Sequence, residues 1–249
     1  MTDLPPPDYS DLDLPSYETI TSTTSSTTAN PPAKEILGPA TLYIAGRFIY
    51  STDPQAPPLY EFSHSIGYLH DTDRSVKVER VDSIVKTSAG TPQVVLRNRH
   101  LFDLKHPTAA EFPNFAYHAE AASRRSLCSL GASNFRTGRL LSNGKGYRFE
   151  RAVRGSDRKF EAQDVLFEAS PSREKAVGYE WRDAQGRLIA REVEDEMASM
   201  SLVVTAEMGY QLRDALVAAW IIRIWWELSK GSSTALRMMM VSFTTVDGT

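Results

Sequence analysis

The feature that most constrains the fold of this 249-residue sequence is one long, strongly apolar segment, residues 206–229. Thr205 can cap its amino end and Gly231 can stop it, so the pattern predicts a single helix between them. Its apolar side chains cover nearly the whole helix surface: Leu212, Leu216, Val217, Trp220, Ile221, Ile222, Ile224, Trp225, Trp226 and Leu228. A helix that is apolar on every side is either buried within protein or crosses a membrane.

The charges within this segment favour burial in protein. Its longest uncharged stretch is only eight residues, between Asp214 and Arg223. A membrane-spanning helix needs about 20 consecutive apolar residues. The sequence therefore predicts a helix enclosed by the rest of the protein, and no transmembrane segment.

Residues 40–205 read as short β-strands separated by turns. They are rich in aromatic and β-branched residues and show few helical stretches. Val76 and Val78 alternate as a half-buried strand requires, although Val81 falls out of phase. The predicted strands are 41–50, 59–69, 76–81, 93–97, 147–153, 159–169, 175–182, 187–193 and 197–205. This pattern favours an antiparallel sheet, sandwich or barrel.

A run of strands followed by one very apolar helix resembles the tubby C-terminal-like group, which includes the LURP-one-related and phospholipid-scramblase families. Residues 201–226, SLVVTAEMGYQLRDALVAAWIIRIWW, look like the closing strand and central helix of that group. The resemblance implies a mainly β fold over residues 39–249, an antiparallel closed barrel of about twelve strands around a buried C-terminal helix. It is a resemblance of pattern without a signature motif, and residues 235–245 depart from it by reading as a further strand after the helix.

Residues 1–38 have a different composition. Five acidic residues and no basic one precede Lys34, and nine of the ten positions 19–28 are Ser or Thr. Such a segment cannot bury enough apolar surface to offset its conformational entropy, so we expect a disordered acidic tail. The rest of the chain then carries a net charge of about +2, and a pI near 6.0 gives no case for a nucleic-acid partner.

This N-terminal segment carries a PPxY motif and a degenerate LPxY copy. The motif resembles the ligands of WW domains, as carried by adaptors of HECT-type ubiquitin ligases. Prolines preset the polyproline II conformation, so little entropy is lost on docking into an aromatic groove. The predicted WW-binding residues are Pro6, Pro7, Tyr9, Pro15 and Tyr17. The alternative is a chance match in a proline-rich segment. A third copy ends at Tyr60, which we expect to open a strand.

Residues 136–159 form a basic stretch. Within it, the candidates for binding an anionic phospholipid are Arg148, Arg151, Arg154, Arg158 and Lys159. Tubby-like domains bind phosphoinositides, so the resemblance supports this reading. The alternative is an ordinary solvated strand surface.

Signals for catalysis are weak. His100, Asp103 and His106 recur at a spacing that would spread them around a helix, so we predict no metal site. The single cysteine, Cys128, follows Arg124 and Arg125, whose charge could lower its pKa, but a structural thiol is the simpler interpretation. No catalytic residue and no cofactor are predicted.

The sequence thus predicts a non-enzymatic adaptor whose tail docks a WW-domain protein and whose barrel binds another partner. The alternative is a membrane-surface protein that holds anionic phospholipid on basic strands. A conventional secretory signal is absent from the first thirty residues, so we expect a cytoplasmic protein, or one peripheral to membranes.

Overall fold

Twelve antiparallel strands close into a barrel around one helix, as the sequence predicted. The computed structural model describes residues 36–52, 56–88, 91–111, 113–137, 145–174, 176–194 and 200–231. Its strands are β1 (Ile36–Leu37), β2 (Ala40–Ala45), β3 (Phe48–Ser51), β4 (Tyr60–Phe62), β5 (Ser75–Ser88), β6 (Thr91–Lys105), β7 (Tyr117–Ala121), β8 (Ser129–Arg136), β9 (Lys145–Arg154), β10 (Phe160–Pro171), β11 (Val177–Asp183), β12 (Leu188–Glu194), β13 (Met200–Val204) and β14 (Met208–Gly209), and the helix is α1 (Tyr210–Ser229).

Strands β2–β13 form the barrel in chain order, each beside its neighbour in sequence. The ring closes where β13 pairs with β2, with Leu202 opposite Leu42. Closure leaves no sheet edge at this seam, which removes a site for unwanted strand pairing. Strands β1 and β14 pair with each other in a separate two-stranded sheet.

The predicted strands correspond to barrel strands with altered bounds. The single strand predicted over 41–50 is two strands, because the chain turns at Gly46, whose φ of +58° is readily adopted by glycine. The turn predicted between β11 and β12 is present, with Gly186 at φ +78°. Strands β7 and β8 were not predicted. Residues 235–245 lie outside the described residues.

The phase of β5 has a physical reason. Alternation continues without a break from Val76 and Val78, so the next inward position is Arg80 and not Val81. Arg80 is tolerated there because its guanidinium meets Asp214 on α1. The sequence pattern looked irregular because a charged residue occupies a core-facing position.

Helix α1 begins later than predicted. Residues 208–209 pair as β14 with β1, so their backbone is extended and the helix starts at Tyr210 after Gly209. The predicted cap at Thr205 is therefore wrong, because the residue at the cap position of the helix is Gly209. The predicted stop is confirmed: Gly231 follows the helix at φ +65°.

The lumen of the barrel is filled by the apolar surface of α1. Trp220 and Trp225 are fully buried, and they pack among inward side chains of the strands such as Phe102 and Phe149. No helix within the described residues is long and apolar enough to cross a membrane.

A candidate ligand cleft on the outer face of the barrel

Two buried ion pairs join α1 to the strands of the barrel. Asp214 accepts a hydrogen bond from the Tyr60 hydroxyl at 2.9 Å and an ion pair from Arg80 at 2.7 Å. Burial raises the pKa of the Asp214 carboxyl from 3.8 to about 6, although Arg80 and Tyr60 oppose the shift. This cluster therefore fixes α1 against β4 and β5.

A second buried pair lies further along the helix. Arg223 forms an ion pair with Glu192 of β12, and the Trp181 indole donates to the same carboxylate at 2.9 Å. The Arg223 guanidinium also lies over the ring of Tyr179, 4.5 Å from its centroid. Burial raises the pKa of Glu192, while Arg223 and Trp181 lower it. The groups that satisfy these charges all belong to the fold.

Space for a ligand lies outside the barrel. A cleft of about 360 Å³ opens between the loop before β7, strand β7 itself and the β9–β10 turn. A neighbouring cleft of about 360 Å³ shares Glu111, His118 and Glu120 with it, so the two form one groove. We call this groove the outer cleft.

The alternation of side chains along β7 determines which of its residues line the outer cleft. Tyr117 and Ala119 face the lumen, so His118 and Glu120 face outward. The loop is held over them by Phe115, whose ring occupies the place of a side chain at Gly131: a Cβ there would lie 2.3 Å from a ring atom. Glycine is required at position 131 for this close approach.

The β9–β10 turn forms the other wall. Asn114 in the loop donates to the Phe160 carbonyl at 2.9 Å, which ties the loop to the start of β10. Arg158 adopts φ +66°, and the backbone N–H of Lys159 donates to the Asp157 carboxylate at 2.9 Å. The turn thus presents two consecutive cations to the cleft.

Of the acidic groups that line the outer cleft, Glu120 forms an ion pair and Glu111 is hydrogen-bonded to its own loop. Glu120 accepts an ion pair from Arg154 at 3.1 Å and lies 3.4 Å from His118. Burial lowers the pKa of His118, although Glu120 opposes the shift. Glu111 accepts hydrogen bonds from both the backbone N–H and the hydroxyl of Thr108, which lower its pKa.

Two of the cations are not paired. Within the described part of the chain, neither Arg158 nor Lys159 has an ion-pair partner for its side chain. Lys105, in the neighbouring part of the groove, donates to the Ser75 hydroxyl and forms no ion pair with another described residue. Over both parts of the groove, five Lys or Arg residues (Arg74, Lys105, Arg154, Arg158 and Lys159) face three Asp or Glu residues (Glu111, Glu120 and Asp157), so its lining has a net formal charge of +2, which suits an anionic ligand.

The structure brings together three of the five basic residues named from the sequence. Arg154, Arg158 and Lys159 line the outer cleft. Arg148 lies elsewhere on β9, paired with Glu168 at 2.7 Å and placed over the ring of Phe135. Arg151 lies on the opposite face of β9 from Arg148 and Arg154, and its charge lowers the pKa of the Cys128 thiol. Neither of these two lines the cleft.

His118, Glu120 and Phe115 were missed by sequence reasoning. The only signal was the pair Pro107 and Pro113, which marks a loop but does not say which strands it covers. The contribution of His118 and Glu120 depends on the facing of β7, a strand that the sequence did not predict.

The other residues that sequence reasoning examined are separated. His100 bonds Asp103 at 3.1 Å, whereas His106 bonds Asp71 and the Ala116 carbonyl. No group of three metal-ligating side chains occurs within the described ranges. The pKa of the Cys128 thiol is raised, because the effect of burial is larger than the lowering by the charge of Arg151.

The five WW-binding residues predicted in the tail lie outside the described residues. The third copy of the motif lies inside them: Tyr60 opens β4, as predicted, and is only 3% exposed. Because its hydroxyl is bonded to Asp214, Tyr60 cannot fill a groove on another protein without leaving the barrel.

Comparison of the chain with protein-family models, with curated proteins and with solved structures found no match.

Proposed function

We propose that this chain is a non-enzymatic interaction protein that docks WW-domain partners through its N-terminal PPxY and LPxY motifs. The observation that carries the proposal is the PPxY motif followed by an LPxY copy in one proline-rich segment. The tyrosine of the third copy, Tyr60, is buried in the barrel, so the proposed docking residues are Tyr9 and Tyr17. Two copies on one segment raise avidity for tandem WW domains through effective concentration.

The barrel supplies a stable body in this proposal. Its lumen is filled by α1, and the two buried ion pairs Arg223–Glu192 and Arg80–Asp214 join the helix to the strands. A closed barrel around an apolar helix is also the architecture that the tubby-like resemblance implies, and we include membership of that group in the proposal.

The test is capture of the full chain by a panel of WW domains. We expect micromolar binding that is lost in the double variant Tyr9→Ala, Tyr17→Ala, because the tyrosine fills a slot beside the proline groove. The matched control is Pro57→Ala in the third copy, which should bind like the unmodified chain. Binding that survives the double variant, or that depends on Pro57, would contradict the proposal.

A second candidate function is binding of an anionic phospholipid headgroup in the outer cleft. It is favoured by the adjacent cations Arg158 and Lys159, whose side chains form no ion pair with another described residue, beside Arg154. Basic side chains gain roughly 1 kcal/mol each at an anionic membrane surface. In this scheme the cleft holds the headgroup and the strands stay outside the bilayer.

Vesicle sedimentation of the full chain tests the second candidate. We expect binding to vesicles that contain phosphatidylserine, none to vesicles of phosphatidylcholine alone, and loss of binding in Arg158→Ala, Lys159→Ala. Arg148→Ala is the control, since Arg148 lies on the same strand as Arg154 but outside the cleft. An equal loss in the control would place any binding elsewhere.

A further inference from the structure

Strands β5 and β6 extend beyond their neighbours in the barrel. The pairing of β4 with β5 reaches Arg80, and the pairing of β6 with β7 begins at Phe102. Past these points, residues 81–88 and 91–98 have no strand partner but each other within the described residues. We call this two-stranded projection the ribbon.

One face of the ribbon is apolar and carries no charge. Val85 and Val94 are directly opposite each other and are 68% and 70% exposed, and Leu96 beside them is 51% exposed. These are three of the six exposed large apolar side chains within the described residues. The ribbon's cations, Lys86 and Arg97, lie on the other face.

The free edge of β5 is ready to accept another strand. The N–H of Val81 points away from β6 and donates to the Leu59 carbonyl at 2.9 Å, the last bond on that edge. Because backbone groups alternate in direction along a strand, the N–H and C=O of Ser83, Val85 and Thr87 point the same way. No described residue pairs with them.

The free edge of β6 lacks one of its backbone hydrogen-bond donors. Pro92 lies opposite Thr87, at a position where the backbone groups point away from β5. Proline has no N–H to donate, and nature uses it to blunt strand edges. The ribbon therefore has one edge with uninterrupted donors and one that is interrupted.

We propose that two copies of this chain associate by antiparallel pairing of their β5 edges. Pairing centred on Val85 places Ser83 opposite Thr87 and Ile84 opposite Lys86 of the other copy, so no like charges are opposed. The two uncharged faces become one continuous apolar surface. Because Pro92 interrupts the outer edge of each ribbon, pairing closes at two copies and does not propagate into a filament.

Sedimentation velocity of the full chain over a range of concentrations tests this dimer. We expect the unmodified chain to shift from a species of 27.8 kDa towards twice that mass as concentration rises. Val85→Pro removes an outward donor from β5 and should abolish the shift. Val94→Pro is the matched control, because it removes an outward donor from β6 at an equally exposed position of the same pair, and it should dimerise normally.

A second pair of variants covers the case in which proline disturbs the ribbon itself. Val85→Lys places two lysines opposite each other across the dimer axis, so dimerisation should be lost at low salt and partly recovered at high salt. Val94→Lys lies away from the axis and should have a smaller effect. A chain that stays monomeric at every concentration, or variants at the two positions that behave alike, would overturn the proposal; the first outcome would leave the edge to a strand of a different protein.

Discussion

The lumen of the barrel and the outer cleft differ in whether their charged side chains form ion pairs. Inside, Arg223 meets Glu192 and Arg80 meets Asp214, and each ion pair is further bonded to an aromatic side chain. Outside, Arg158 and Lys159 line the cleft, and neither side chain forms an ion pair with another described residue. The difference separates charges that hold the fold together from charges that remain free to meet a ligand.

Breaking an internal pair should have the largest effect. Glu192→Gln leaves the Arg223 guanidinium buried without a counter-charge, and we expect a loss of about 3–5 kcal/mol in the free energy of unfolding. Glu168→Gln is the control, since its pair with Arg148 is solvent-accessible and should contribute about 1 kcal/mol or less. Denaturant titration measures both. Similar losses would mean that the lumen does not differ from the surface in this respect.

The pH dependence of stability should report Asp214. Its folded-state pKa of about 6 lies above the ordinary 3.8, so between these values the folded protein holds a proton that the unfolded chain has released. Stability from this group therefore falls as pH rises from about 4 to about 6, by roughly 3 kcal/mol in total. We expect Asp214→Asn to remove that component. Equal slopes for the two proteins in this window would contradict the assignment.

The wall of the outer cleft can be tested by filling the space at Gly131. Gly131→Ala forces the Phe115 ring aside, and we expect a cost of about 1–3 kcal/mol from overpacking. The same substitution in a Phe115→Ala background should cost much less, because the clash is gone. A cost that persists in that background would show that the ring is not its cause.

The smallest effect on stability should come from the free cations. Arg158→Ala with Lys159→Ala removes no ion pair, so the unfolding midpoint should stay within the error of the measurement. Arg154→Ala should lower it slightly, because Arg154 is paired with Glu120. A clear destabilisation by the double variant would mean that these cations serve the fold after all.

Hydrophobic patterning was sufficient to predict a mainly β fold with one buried helix, and the closed barrel of about twelve strands was what the tubby-like resemblance implied. The patterning was insufficient where a tertiary partner overrides the local pattern. Arg80 occupies an inward position only because Asp214 faces it, and the helix starts late only because β14 pairs with β1. Of the residues that line the outer cleft, only the basic ones were named from the sequence, because they lie in a basic stretch. His118 and Glu120 lie near them because β7 pairs with β8 and β8 with β9, and no local pattern encodes that pairing.

The seam between β2 and β13 also sets the order of events during synthesis. The strand at residues 40–45 finds its second neighbour only at residues 200–204, and the lumen is filled by a helix that follows both. While the ribosome is still delivering the intervening residues, the nascent sheet has an unpaired edge and an empty, apolar inner face. The barrel therefore cannot close before residues 200–204 have been synthesised, and its apolar inner face stays uncovered until the helix emerges.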